Sequence, residues 1–225
     1  MANHCYNTIT ITGNEAELET LHKLLTKEDG YIDFEHVLKR EIPFGEIYDI
    51  VGTKWFTPDI DLRDGELKLY GDSAWSPPVP LFETLAKIYT TLKITMNFEE
   101  PGMGFGGELN IDRNGTEVIF EGNYWQYMAY LDYESFFQDA LSELQYYIED
   151  GYISTETELR EHHIYKCVSK ADRSKLLKRL LELTGMERFT VTFEGNPHIK
   201  EQVFATSMDD LKQKSPKAIV KKYNT

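Results

Sequence analysis

The order of patterns in the first hundred residues limits the fold more than any other feature: strand, helix, strand, strand, helix, strand. Cys5 to Thr12, CYNTITIT, alternates apolar and polar residues and is rich in Thr and Ile, which marks a strand ended by Gly13. Asn14 then caps a helix in which Leu18, Leu21, Leu24 and Leu25 recur at helical spacing. Glu15 and Glu17 fall in its first turn, where the helix dipole favours carboxylates. Residues 30–52 show neither period and read as a long irregular connection. WFTPDIDL and ELKLYGD flank Asp64-Gly65, a hairpin signal, and give the second and third strands. Trp75-Ser76-Pro77-Pro78 must break any strand. VPLFETLAKIYT reads as a short helix after it, and LKITMNFE as the fourth strand. GELNID and TEVIFEG add a further hairpin around Asn114-Gly115. The expected class is therefore α+β: a ferredoxin-like (split βαβ) antiparallel sheet with helices on one face and an added hairpin.

The rest of the chain follows a different pattern. Tyr133 to Asp150 is an acidic amphipathic helix whose Phe136, Phe137, Leu141, Leu144, Tyr147 and Ile148 form one apolar stripe, expected to pack on the sheet. Beyond Gly151, HIYKCVS, DRSKLLKRLLELTG, RFTVTFEGN and EQVFATS read as strand, helix, strand, strand, and a basic last helix completes a smaller α+β unit. These patterns predict a ferredoxin-like domain over residues 1–125 and a helix plus small α+β unit over 126–225. No Pro/Gly/Ser-rich linker marks the boundary near 125–131, which leaves one composite domain open.

Length and composition set the outer bounds. A chain of 225 residues with 41% hydrophobic content buries one good core or two small ones. There is no run of eighteen apolar residues, and the start MANHCYNTITITG has neither a basic nor an apolar leader region, so a cytosolic protein with no membrane association is expected. Cys5 and Cys167 are too few and too far apart for a disulfide scaffold and read as buried small hydrophobes. The net charge of −14 is unevenly placed: residues 1–131 carry −12, residues 132–161 carry −8, and residues 162–225 carry +6. Such a surface repels nucleic acid over most of its area and attracts a strongly basic protein, while also serving solubility.

The stretch EEPGMGFGGE, residues 99–108, is the one that most resembles a ligand loop. A phosphate cradle of the Walker type needs a lysine and a following helix; here Gly107 leads to Glu108 and a strand. Gly102, Gly104 and Gly107 have the spacing of a dinucleotide fingerprint, but the helix is absent and carboxylates would repel a pyrophosphate. The glycines are thus expected to serve a bend or bulge, with Trp55 or Trp75 covering the flat spot. Adjacent Glu99 and Glu100 point to opposite faces of a strand, so only one of them can join Glu108. Asp59, Asp61, Asp64 and Glu66 lack the glycine and glutamate of a calcium loop and read as a solvated hairpin face. His162, His163 and Cys167 supply at most three zinc ligands, and on a strand the two histidines diverge. No metal, cofactor or catalytic residue is expected.

Several stretches together carry a family resemblance: MANHCYNTITITG, Gly52-Thr53-Lys54-Trp55, Trp75-Ser76-Pro77-Pro78, and Glu99-Glu100-Pro101-Gly102 followed by Phe105-Gly106-Gly107. In these the N-terminal half, to about residue 125, resembles the ferredoxin-like domain of the plasmid- and phage-encoded YubB-like proteins. The resemblance implies that fold, a mobile-element origin and an accessory role in a bacterial host cytosol. It transfers no catalytic residues. Joined to the charge, it predicts a non-enzymatic binding protein that engages and blocks a basic, nucleic-acid-handling host or defence protein, and whose intact chain does not itself bind nucleic acid. The partner-binding residues expected on the acidic helix are Glu134, Asp139, Glu143, Glu149 and Asp150. The alternative is a metal- or nucleotide-dependent enzyme with a cleft formed by Trp55, Trp75, Glu99, Glu100 and Phe105.

Overall fold

The structure, a computed structural model, describes residues 3–26, 31–43, 45–193, 196–214 and 218–221. The chain divides into two compact units, Met1–Tyr127 and Met128–Thr225. The first unit runs β1 (His4–Thr12), α1 (Glu15–Leu25), α2 (Phe34–Leu38), α3 (Ile47–Val51), β2 (Phe56–Arg63), β3 (Glu66–Ala74), α4 (Val79–Ile88), β4 (Lys93–Glu100), β5 (Phe105–Asp112) and β6 (Gly115–Asn123). Its strands form one antiparallel sheet in the order β2-β3-β1-β4-β5-β6. The first four strands in that order are the arrangement that a split βαβ chain produces, and β5 with β6 extends the β4 edge.

Strand alternation decides which face is covered. Ile9 and Ile11 of β1, Leu67 and Leu69 of β3, and Ile94 and Met96 of β4 are buried in one cluster with Leu18, Leu21 and Leu25 of α1 and Leu81, Phe82 and Leu85 of α4. Full burial of each such side chain contributes about 1.5–3 kcal/mol, which holds the helices to that face. Asn14 caps α1 as its position implies, its side chain accepting a hydrogen bond from the Ala16 amide at 2.9 Å. Residues 30–52 are not wholly irregular, as the sequence suggested. They contain α2 and α3, each only five residues long, too short for helical periodicity to stand out.

α5 (Tyr124–Leu131) spans the division between the units. The second unit continues with α6 (Tyr133–Glu149), α7 (Glu156–Glu161), α8 (His163–Cys167), α9 (Arg173–Thr184), β7 (Glu187–Phe193), β8 (Asn196–Ala205), α10 (Met208–Lys214) and β9 (Ala218–Lys221). Its three strands are ordered β8-β7-β9, and Phe189, Val191, Val203, Ala205 and Leu211 form a small core. Within this unit the apolar stripe of α6 meets α8 and α9, where a sheet had been expected to receive it.

Two readings of the C-terminal quarter are corrected. HIYKC is helix α8: buried Ile164, Tyr165 and Val168 fall at helical spacing, which the apparent alternation of HIYKCVS conceals. Where a basic last helix was expected, the basic stretch from Lys212 to Lys222 is instead the end of α10 followed by strand β9; residues 215–217 and 222 of that stretch lie outside the described residues. No helix among the described residues is long and apolar enough to cross a membrane.

Candidate functional site

The glycine-rich stretch resolves into a short turn and the start of β5. The turn closes where the Gly104 amide donates to the Glu100 carbonyl at 2.8 Å and the Met103 amide donates to the Glu100 carboxylate. Gly104 takes a left-handed conformation with φ +76°. Gly106 and Gly107 lie in β5 itself, on opposite faces of the sheet. A Cβ on Gly106 would stand 2.5 Å from the ring of Tyr127, and one on Gly107 would stand 2.7 Å from the ring of Phe98. The two glycines therefore seat aromatic rings, and the register shift between Glu108 and Leu109 in the β5–β6 pairing lies just beyond them. The rings that cover the flat spot are those of Tyr127 and Phe98. The tryptophans expected there lie elsewhere: the Trp55 ring meets His4 at 5.4 Å, and Trp75 stands half-exposed at φ 70°, its amide donating to the Asn3 carbonyl.

The carboxylates of this stretch do not converge. Glu100 is 1% exposed, its side chain folded onto its own turn. Glu99 faces the opposite side of the sheet beside Tyr6, and burial pushes its carboxyl above the ordinary range. Glu108 stands opposite Asn97 on the Glu99 face, and Phe105 packs edge-on against Phe98 as part of the core periphery. Of the five residues expected to line a cleft, Glu99 and Glu100 are separated by the sheet and Phe105 is part of the core packing.

Buried polar groups that the strand pattern concealed lie at the same end of the sheet. Asn7 is 3% exposed, and its side-chain amide donates to the carbonyls of Cys5 and Gly71 and to the Ser73 hydroxyl at 2.7, 3.3 and 2.8 Å. It thereby knits β1 to β3. Burial pushes the Cys5 thiol up to about 12, which favours the protonated form at neutral pH. Cys167 is half-buried and its thiol is also raised by burial.

On α6, buried Phe136, Phe137, Ala140, Leu141, Leu144 and Ile148 occupy one arc. Glu134, Asp139, Glu143 and Glu149 occupy the opposite arc and are exposed, as is Asp150 at the C-cap. Glu149 accepts from the Gln145 amide at 2.8 Å, and Asp150 hydrogen-bonds the Tyr146 phenol, raising that phenol. Among the described residues none of these five carboxylates is in an ion pair. The basic helix α9 engages α6 through Lys175, whose ammonium lies 4.9 Å from the centre of the Phe137 ring; Lys178 and Arg179 pair with Glu182 of their own helix. His162 and His163 do not diverge as strand neighbours would. Their rings lie 4.4 Å apart at the start of α8, with Tyr147 4.8 Å from His162. Burial and the neighbouring imidazole hold His162 below its ordinary pKa.

No curated protein matches the chain. Among solved structures, the chain is similar to the protein Api92 from Yersinia pseudotuberculosis, with 11% identity and a TM-score of 0.36 over 55% of this chain and 98% of that one. A family model described as a ferredoxin-like domain in Api92-like protein matches residues 53–134, a span that takes in β2 to β6 and α5.

Proposed function

We propose that this chain is a non-enzymatic binding protein whose acidic α6 face engages a basic, nucleic-acid-handling protein and occludes the surface that protein uses for nucleic acid. The observation that carries the reading is the arc of Glu134, Asp139, Glu143, Glu149 and Asp150, exposed and outside any ion pair among the described residues. Carboxylates spread over the exposed side of a helix concentrate negative charge, as a phosphate backbone does. Association with such a face draws on released counterions and long-range attraction. The YubB-like kinship read from the N-terminal half supplies the biological setting: an accessory protein of a phage or plasmid, acting in the cytosol of a bacterial host on a host or defence protein.

The full-length chain, immobilised and exposed to bacterial lysate at low salt, is expected to retain a basic protein that high salt or added duplex DNA releases. Reversing the charge of the five α6 carboxylates abolishes the capture. Failure to retain any basic protein, or retention that survives the charge reversal, overturns the reading.

A further inference from the structure

α1 and α4 cover one face of the six-stranded sheet, and the strand register orders the side chains on the other. Asp59, Tyr70, Thr8 and Asn97 stand in one row across β2, β3, β1 and β4; Asp72, Tyr6 and Glu99 stand in the next. Tyr6 and Tyr70 are therefore diagonal neighbours on adjacent central strands, roughly 7–8 Å apart. They are 48% and 47% exposed, in a sheet whose other face is a closed core. Among the described residues the basic groups near them are held: Lys68 pairs with Glu66 at 3.1 Å, Arg63 with Asp61 at 2.9 Å, and the His4 Nδ1 lies 3.0 Å from one oxygen of Asp72, whose carboxylate a guanidinium would share. Tyr127 bounds the surface on the β5 side, over Gly106, its hydroxyl 3.3 Å from Asn97.

Two exposed rings on the central strands of an open sheet form a stacking platform, and the charge around them selects what stacks. A nucleotide would bring its phosphates against Asp59, Asp72 and Glu99. A guanidinium is planar, lies flat on a phenol ring, and presents several N–H donors to flanking carboxylates, which a compact, strongly hydrated ammonium does less well. We propose that this open face reads arginine: Tyr6 and Tyr70 stack guanidinium groups of a basic partner segment while Asp59, Asp72 and Glu99 receive their charge. The proposal rests on the reading that the partner is basic, but it places a second contact on the first unit and assigns the selectivity for arginine to Tyr6 and Tyr70, which the serine variants test separately from the α6 carboxylates.

Fluorescence anisotropy of labelled octa-arginine and octa-lysine peptides with the full-length protein tests it. The arginine peptide is expected to bind about tenfold more tightly. Tyr6→Ser with Tyr70→Ser erases that ratio, Tyr6→Phe with Tyr70→Phe keeps it, and unchanged thermal melting shows that the fold survives. Charge reversal on α6 weakens both peptides alike and leaves the ratio in place. Equal affinity for the two peptides, or a preference indifferent to the serine variants, overturns the platform and leaves the α6 reading standing; absence of binding by either peptide overturns both. Binding of a single-stranded oligonucleotide that the serine variants abolish would overturn it in favour of base stacking, and self-association lost in the same variants would assign the face to a second copy of the chain.

Discussion

At the scale of single residues, the pair Glu99 and Glu100 shows how one position along a strand changes the chemistry of a carboxylate. Glu100, on the core side, accepts a hydrogen bond from the Met103 amide in its own turn. Glu99, one residue earlier, faces the open side beside Tyr6, and burial without a compensating cation raises its pKa above the ordinary value of 4.5. For an acid raised in the folded state, the native protein binds more protons than the unfolded chain between the two pKa values. Stability therefore falls as pH rises from 4.5 through the folded pKa, and the loss is complete above it. Glu99→Gln removes the charge but keeps the shape. The variant is expected to melt higher than the parent at pH 7 and to lose that advantage as pH falls below 4.5, in parallel thermal scans across pH. A variant no more stable at pH 7 would mean that solvent or a neighbour already satisfies the carboxylate.

At the scale of elements, the glycines of β5 show what a loop-like composition can hide. Gly106 is small because the Tyr127 ring, in the first turns of α5, lies directly over it. Gly106→Ala puts a methyl group into that ring and is expected to cost about 1–3 kcal/mol as overpacking. Pairing it with Tyr127→Ala should recover part of that cost in a denaturant-unfolding cycle, since the clash disappears with the ring. Gly104→Ala meets no atom within 4 Å and is penalised only by its left-handed backbone, about 1–2 kcal/mol, so Tyr127→Ala should not relieve it. The bend at these glycines, the βαββαβ order, both hairpins and α6 were legible in the sequence, because each of those rests on local period or turn chemistry. The partners of Gly106 and Gly107 were not legible, since Tyr127 and Phe98 reach them only through the fold. Five-residue helices such as α8 were missed for a related reason: a segment that short offers alternation and helical spacing almost equally, and burial of Ile164, Tyr165 and Val168 decides between them. Tyr6 and Tyr70 went unremarked in the sequence because what sets them apart, diagonal adjacency on an uncovered face, exists only once β1 and β3 are in register.

At the scale of the whole molecule, the sign change from −20 over residues 1–161 to +6 over residues 162–225 invites a division into an acidic half and a nucleic-acid-binding half. The ion pairs argue against it. Within the second unit Lys166 is held by Glu161 at 2.7 Å, Arg188 by buried Glu156 at 3.0 Å, Arg179 by Glu182 at 2.8 Å and Lys214 by Asp210 at 3.1 Å, while Lys175 lies over the Phe137 ring. Each exposed pair contributes only about 0–1 kcal/mol to stability, yet each also places a carboxylate beside the cation that a phosphate would have to displace. At physiological salt, charges act over about 8 Å, so these paired carboxylates weigh heavily in deciding what the basic side chains can touch. The intact chain is therefore expected to show no sub-micromolar binding to duplex DNA in a gel-shift titration at physiological salt. Charge reversal of the five α6 residues should abolish capture of a basic protein without producing tight DNA binding, because it leaves the partners of Lys166, Arg179, Arg188 and Lys214 in place. Tight, salt-sensitive binding of DNA by the unmodified protein would mean that phosphates displace those partners, and the molecule would then have to be read as a nucleic-acid-binding protein whose acidic helix competes for its own basic surface.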